Sequence, residues 1–303
     1  MILPSTPSLI ITISLVFLCA CSPNSKSTQF PGTLAIGTRP ESITKGFDGD
    51  YFVTVMGEKE PGDAYIARIQ NGEISKFAEG MDEPKGIAFD GTHLYATDLR
   101  RVWKIDASGE KSELVGEADF PVAISYLNDA AISPDGSSLY ITDMGANDKM
   151  FGPDGFWPFD SEQAKNIPVI GRVFKIDLSS SGIEIAVDAN DLMPCPNGVG
   201  FGKDGQLLIG AFFRGNFLEA HGDHLHVIAD GFRGADAVEQ DSKGNYYVSS
   251  WKFAKVWKID GSTKDVTVLI EGLQSAADFY LNEEESMILL PDMLAGTITR
   301  IDL

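Results

Sequence analysis

Basic residues are scarce in this chain, 24 Lys and Arg against 44 Asp and Glu, for a formal net charge of −20. Such a surface repels phosphate backbones and anionic head groups, which excludes nucleic acid as a natural partner. It remains compatible with divalent cations and small neutral substrates. Three cysteines in 303 residues are too few for a disulfide-built fold. No phosphate loop, dinucleotide fingerprint or G-x-S-x-G elbow is present, so the chemistry those motifs carry has no support here. With 43% hydrophobic and 22% charged residues, the chain has the makings of a globular core instead.

The longest apolar run, from Leu9 to Ala20, is too short for a comfortable membrane span and suits the core of a signal peptide. It ends in Leu18-Cys19-Ala20-Cys21, which resembles the bacterial lipoprotein box. No Lys or Arg precedes it. The resemblance implies a signal peptide over residues 1–20, lipidation of Cys21 and anchoring in the bacterial cell envelope, on the periplasmic side of the outer membrane. The lipid would be the sole membrane contact. A lipidated Cys21 cannot pair with Cys195, so burial alone must hold the fold. Residues 21–32, polar with prominent Ser and Pro, read as a flexible tether.

From residue 33 onward one pattern recurs. PESITKGFDGDYFVT begins at Pro40, PKGIAFDGTHLYATD at Pro84 and LNDAAISPDGSSLYITD at Leu127. PNGVGFGKDGQLLIGAF begins at Pro196, ADAVEQDSKGNYYVSSW at Ala235 and ADFYLNEEESMILLPDM at Ala277. Each is an apolar stretch, a turn and a second stretch rich in β-branched and aromatic residues. Third strands such as VWKID follow, with period-2 alternation, and a fourth closes most units. The second residues of the copies, at 41, 85, 128, 197, 236 and 278, are 44, 43, 69, 39 and 42 apart. A period near forty with four strands per unit predicts an all-β, six-bladed β-propeller over residues 33–303. The last copy stops after three strands, and Thr33–Ile36 has the pattern of a missing fourth. The N-terminal strand is therefore expected to close the ring; the rival, a solenoid, would need capping repeats.

Those second residues converge at one mouth of the channel: Glu41, Lys85, Asn128, Asn197, Asp236 and Asp278. All are polar. Hard oxygen donors without His or Cys suit Ca²⁺, or another divalent cation, better than Zn²⁺. A water-filled mouth in which Lys85 pairs with Asp236 or Asp278 satisfies the same residues. The long step holds an insertion at residues 144–171, between the second and third strands of blade three. Its Phe151, Phe156, Trp157 and Phe159 can form a lid over the mouth or pack on the rim. Phe151, Trp157, Phe212 and Trp251 are the candidate substrate wall. His221, His224 and His226 fall at a turn between outer strands, away from the mouth. Cys195 reads as a small buried residue.

The repeat, the blade count and the ordered Glu41, Asn128, Asn197 and Asp236 resemble the gluconolactonase/regucalcin (senescence marker protein) family. They are also similar to the related paraoxonases and diisopropylfluorophosphatase. The resemblance implies a calcium-dependent hydrolase of lactones or related esters. It implies Glu41, Asn197 and Asp236 as metal ligands, with Asn128 a ligand or a substrate contact and Asp236 also a base or nucleophile. Ser42-Ile43 replaces the Gly-Pro and Trp that usually follow the family's Glu, and no His lies at the mouth. Beside the family's roles, Asp278 is a second candidate proton acceptor and Lys85 a group to hold the opening alkoxide or to balance the acids. The alternatives are a non-catalytic envelope propeller of the NHL-repeat kind, binding a ligand or protein, and a strictosidine-synthase-like propeller with non-hydrolytic chemistry.

Overall fold

A computed structural model describes residues 30 and 32–303, save 223 and 285. The apolar run, Cys21 and nearly all of the tether lie outside the described residues. The fold is a six-bladed β-propeller of four-stranded antiparallel blades. Blade one is Pro40–Lys45, Tyr51–Val55, Ala64–Gln70 and Glu73–Met81, and blades two to five repeat that order from Pro84, Leu127, Pro196 and Ala235. Blade six takes Tyr280–Asn282, Met287–Asp292 and Thr297–Asp302 from the end of the chain and Thr33–Ala35 from its start. Thr33 pairs with Thr299 and Ala35 with Thr297, so the expected closure is present.

The alternation in the third strands has a simple cause: a blade buries both faces. Val102 packs toward blade three with Leu127 and Phe174. Ile105 and Trp103 point the other way, toward Phe52 and Ile66 of blade one. One apolar cluster fills each gap between neighbouring blades, and a seventh lies under the insertion. Dispersion and water exclusion across these gaps hold the ring without disulfides.

The recurring Asp that ends several second strands is structural. Asp98 accepts the backbone N–H groups of Asp82 and Glu83. Asp143 accepts those of Ser125 and Tyr126, and Asp292 those of Gln274 and Ser275. Each carboxylate thus ties down the loop that leads into an innermost strand, fixing where the next residues enter the channel mouth. At the opposite face, Asp106, Asp135, Asp177 and Asp260 accept hydrogen bonds from nearby Ser or Thr side chains and backbone N–H groups. These bonds hold their carboxyls below the usual range. Part of the acidic excess is therefore turn chemistry.

Candidate active site at the channel mouth

The residue that follows the first ladder pair of each blade defines the ring. Pro40 pairs with Val55, Pro84 with Asp98, Leu127 with Asp143, Pro196 with Ala211 and Ala235 with Ser250. In blade six the equivalent bridge joins Ala276 to Asp292. The ring is accordingly Glu41, Lys85, Asn128, Asn197, Asp236 and Ala277. Asp278, expected in it, sits one residue further along, level with Ser42 and Asp129. The cause is register: a one-residue step in a strand moves the side chain to another layer of the channel.

A hydroxyl on the second strand of most blades sets this register. Thr54 Oγ1 accepts the Ser42 N–H and donates to the Lys85 carbonyl at 2.6 Å. Thr142 Oγ1 accepts the Asp129 N–H and donates to the Asn197 carbonyl at 2.6 Å. Thr97 donates to the Asn128 carbonyl, and Ser249 to that of Ala277. Gly210 stands at this place in blade four, where the Asp236 carbonyl approaches closely. Each ring residue is thus stitched through its backbone to the blade before it or packed tightly against it.

Glu41, Asn128, Asn197 and Asp236 are all nearly fully buried. Each has a side-chain oxygen without a hydrogen-bond partner: Glu41 Oε2, Asn128 Oδ1, Asn197 Oδ1 and Asp236 Oδ1. All four residues line one cavity of about 230 Å³. Four buried, unpaired oxygens on residues lining one cavity are costly unless something with positive charge or hydrogens answers them. Lys85 answers in part, with Nζ 3.6 Å from Glu41 Oε1, 3.4 Å from Met56 Sδ and 5.2 Å from the centre of the Tyr126 ring. Burial pulls the Lys85 ammonium down, but Tyr126, Glu41, Asp236 and Glu83 together hold it above its ordinary range, so it stays charged. Burial pushes the Glu41 carboxyl up, with Lys85 opposing. Burial, Glu41 and Asp278 push Asp236 well up, again against Lys85. Among the described residues no three His, Cys, Asp or Glu side chains converge as a metal-binding group. The donor set here has two carboxylates, and its other two oxygens are amides. That mixture of hard oxygens fits a Ca²⁺-type ion.

One layer down, Asp278 accepts from Ser42 Oγ and is hydrogen-bonded to Asp129 from the opposite side of the channel. Asp129 also accepts the backbone N–H groups of Ala130 and Val199, both at 2.7 Å. Burial raises both carboxyls, Asp278 to about 7. They belong to the channel below the cavity rather than to its lining.

Of the expected substrate wall, Phe151, Phe212 and Trp251 line the cavity. Trp157 does not; its ring lies against Gly152, beneath the insertion's hairpin. Sequence reasoning missed Met56, Tyr126, Met144, Met150 and Met293, which line the same space. Their scatter over four different loops leaves no local signal. Cys195 is buried, its thiol pushed up to about 12 by burial and Asp143, which suits packing and not nucleophilic work. The His residues occupy the Asn216–His221 and His224–Ala229 hairpin, at the face away from the mouth, and His221 pairs with Glu219. A larger groove of about 730 Å³ runs past that hairpin along blades three and four, but none of the unpaired buried atoms lies in it.

No protein-family model and no curated protein sequence matches the chain. Solved structures do. A gluconolactonase from Xanthomonas campestris superposes with a TM-score of 0.67 at 16% identity, covering 89% of this chain and 88% of that one. A structure described as a putative gluconolactonase gives 0.65 at 16% identity, covering 90% and 93%. A chain in the crystal structure of a nidogen/laminin complex gives 0.57 at 18% identity, covering 75% and 78%. At these identities the likeness is one of fold.

Proposed function

We propose that this protein is a calcium-dependent hydrolase of lactones or related esters. The observation that carries the reading is the convergence of four buried, unpaired oxygens, from Glu41, Asn128, Asn197 and Asp236, on one cavity. The likeness to two gluconolactonase-type structures over about nine-tenths of the chain supports it. Glu41, Asn128, Asn197 and Asp236 would hold the ion. Bound there, a divalent cation supplies Lewis-acid polarisation of a substrate carbonyl and neutralises the carboxylates.

The chain's own residues do the rest. Asp236, made more basic by burial and by Glu41, accepts the proton of the attacking water. Asp278 lies outside the cavity lining, so the acceptor we assign is Asp236 alone. Lys85, held protonated, faces the opening alkoxide and offsets the acids of the ring. Asn128 Nδ2 donates to Met144 Sδ, which turns its oxygen toward the cavity.

A second reading, a non-catalytic propeller that binds a protein, is favoured by the likeness to the nidogen/laminin structure and by exposed Phe253 and Leu294 in loops on the mouth face. Calorimetry with Ca²⁺ on the full-length protein separates the two. Binding that is lost in Asp236→Ala and Asn197→Ala supports the hydrolase. No binding of Ca²⁺, Mg²⁺ or Mn²⁺ by the intact protein sinks it. Anchoring at Cys21 in the cell envelope belongs to the same proposal, and Cys21→Ser is expected to move the protein to the soluble fraction.

A further inference from the structure

The insertion at residues 144–171 is built as a fixture. It carries a hairpin of Phe151–Gly152 and Gly155–Phe156 and a short helix, Glu162–Lys165. Phe151 stacks on Phe156 with ring centres 4.7 Å apart, and Phe156 rests on Phe212 at 5.4 Å. Behind them stands Arg233, from the loop leading into blade five. Its guanidinium lies 4.8, 4.0 and 4.6 Å from the centres of Phe156, Phe159 and Phe213. Its Nη2 donates to the Trp157 carbonyl, and its own carbonyl accepts the Ser250 hydroxyl. A planar, weakly hydrated cation among three rings is favourable and orientation-specific. One side chain thereby joins the insertion of blade three to blades four and five.

The inner edge of this fixture, Met150 and Phe151, forms the cavity wall with Met56, Met144, Phe212 and Trp251. These groups offer thioethers and ring faces. Neighbouring polar groups are engaged with one another: Tyr126 Oη donates to Glu83, and Arg39 donates to the carbonyls of Met56 and Gly57. Lys59 and Asn147 supply further polar atoms at the rim. A polyhydroxylated ring would bury hydroxyls against sulfur and aromatic carbon, whereas an apolar ring or chain loses nothing there.

We propose that Arg233 is a positioning residue that latches the insertion, and that the wall so formed selects carbonyl substrates bearing an apolar group over polyhydroxylated ones. The hydrolytic half of this rests on the proposed function; the binding preference rests on the cavity alone. The probes are 2-hexylcyclopentanone, which has the carbonyl and a tail but no ester to cleave, and D-gluconolactam. Calorimetry on the full-length protein is expected to show the ketone binding at least tenfold more tightly. Phe151→Ala, at an exposed ring, should lose about tenfold for the ketone and little for the lactam. Arg233→Ala should do the same while accelerating amide exchange across residues 150–160, and Arg233→Lys should restore little of either.

Equal or tighter binding of the lactam, no binding of either probe, or unchanged exchange in Arg233→Ala overturns the proposal. Should Arg233→Ala fail to fold, Phe159→Ala, which removes one exposed ring of the latch, reads the same exchange. Turnover separates the two claims. Hydrolysis of a sugar lactone in preference to a hexyl-substituted one sinks the wall and keeps the hydrolase. Tight ketone binding with no lactone cleaved does the reverse.

Discussion

Thr142 Oγ1 donates to the Asn197 carbonyl at 2.6 Å while accepting the Asp129 N–H at 3.0 Å, so one buried hydroxyl holds blades three and four in a single register. Thr142→Val keeps the shape and strands both backbone groups. It is expected to cost about 1–3 kcal/mol in denaturant unfolding and to weaken Ca²⁺ binding, with Thr142→Ser retaining most of both. Unchanged stability in the valine variant would show that the neighbouring blades set register unaided.

Lys85 is expected to have opposite effects on the empty and the loaded protein. Lys85→Met leaves Glu41 and Asp236 facing each other without a cation, so unfolding in a chelator should cost about 1–3 kcal/mol less. Calcium affinity should rise, because the competing ammonium is gone. Thermal unfolding in chelator and in saturating Ca²⁺ reads both signs; a parallel loss in the two conditions would make Lys85 a simple packing residue.

Gly198 follows a ring residue where an added Cβ would lie 1.7 Å from the Asp236 carbonyl oxygen. Gly198→Ala must push the innermost strand of blade five away. We expect a loss of about 1–3 kcal/mol from overpacking and loss of Ca²⁺ binding, read by calorimetry on the folded variant. Ala237, one residue after Asp236, already carries a Cβ, so Ala237→Gly is the control and should spare the site.

Glu239 is one source of pH dependence, outside the ring and the carboxyl pair below it. Burial, then Asp278 and Glu283, raise its carboxyl from 4.5 to about 8. The folded protein therefore holds a proton that the unfolded chain releases near 4.5. This contribution to stability is fully present below that pH and is lost as pH rises toward about 8. Glu239→Gln should flatten the decline between those values and leave the variant the more stable one at pH 8. A wild-type stability that rises over this window would contradict the assignment.

How far the sequence reached can be judged at blade six. Blade count, strand order, closure and five of the six ring residues follow from repeat spacing, because the period and the turn signals are local. Asp278 did not follow. Ala277-Asp278 mimics Ala235-Asp236, and both Phe279 and Tyr280 are apolar enough to occupy the core position two residues past the ring. The structure chooses Phe279, which is buried with Ala237 and Tyr247, and this seats Ala277 in the ring. The Asp that ends the second strand was the overlooked anchor, since Asp98, Asp143 and Asp292 each bind the two residues before the first ladder pair of their blade. Arg233 had no sequence signal at all, because its rings come from two other segments, Phe156 and Phe159 of the insertion and Phe213 of blade four.

The strand Thr33–Ala35 has a bearing on how the molecule is made. It leaves the ribosome before any blade and finds its partner, Thr297–Asp302, only after all the other blade strands have been made. Every earlier stage has a growing arc with an open edge, and the ring becomes cooperative in one late step. An intermediate stalled before residue 297 would thus be a target for chaperones or for pairing with another nascent chain, whatever the stability of its finished blades.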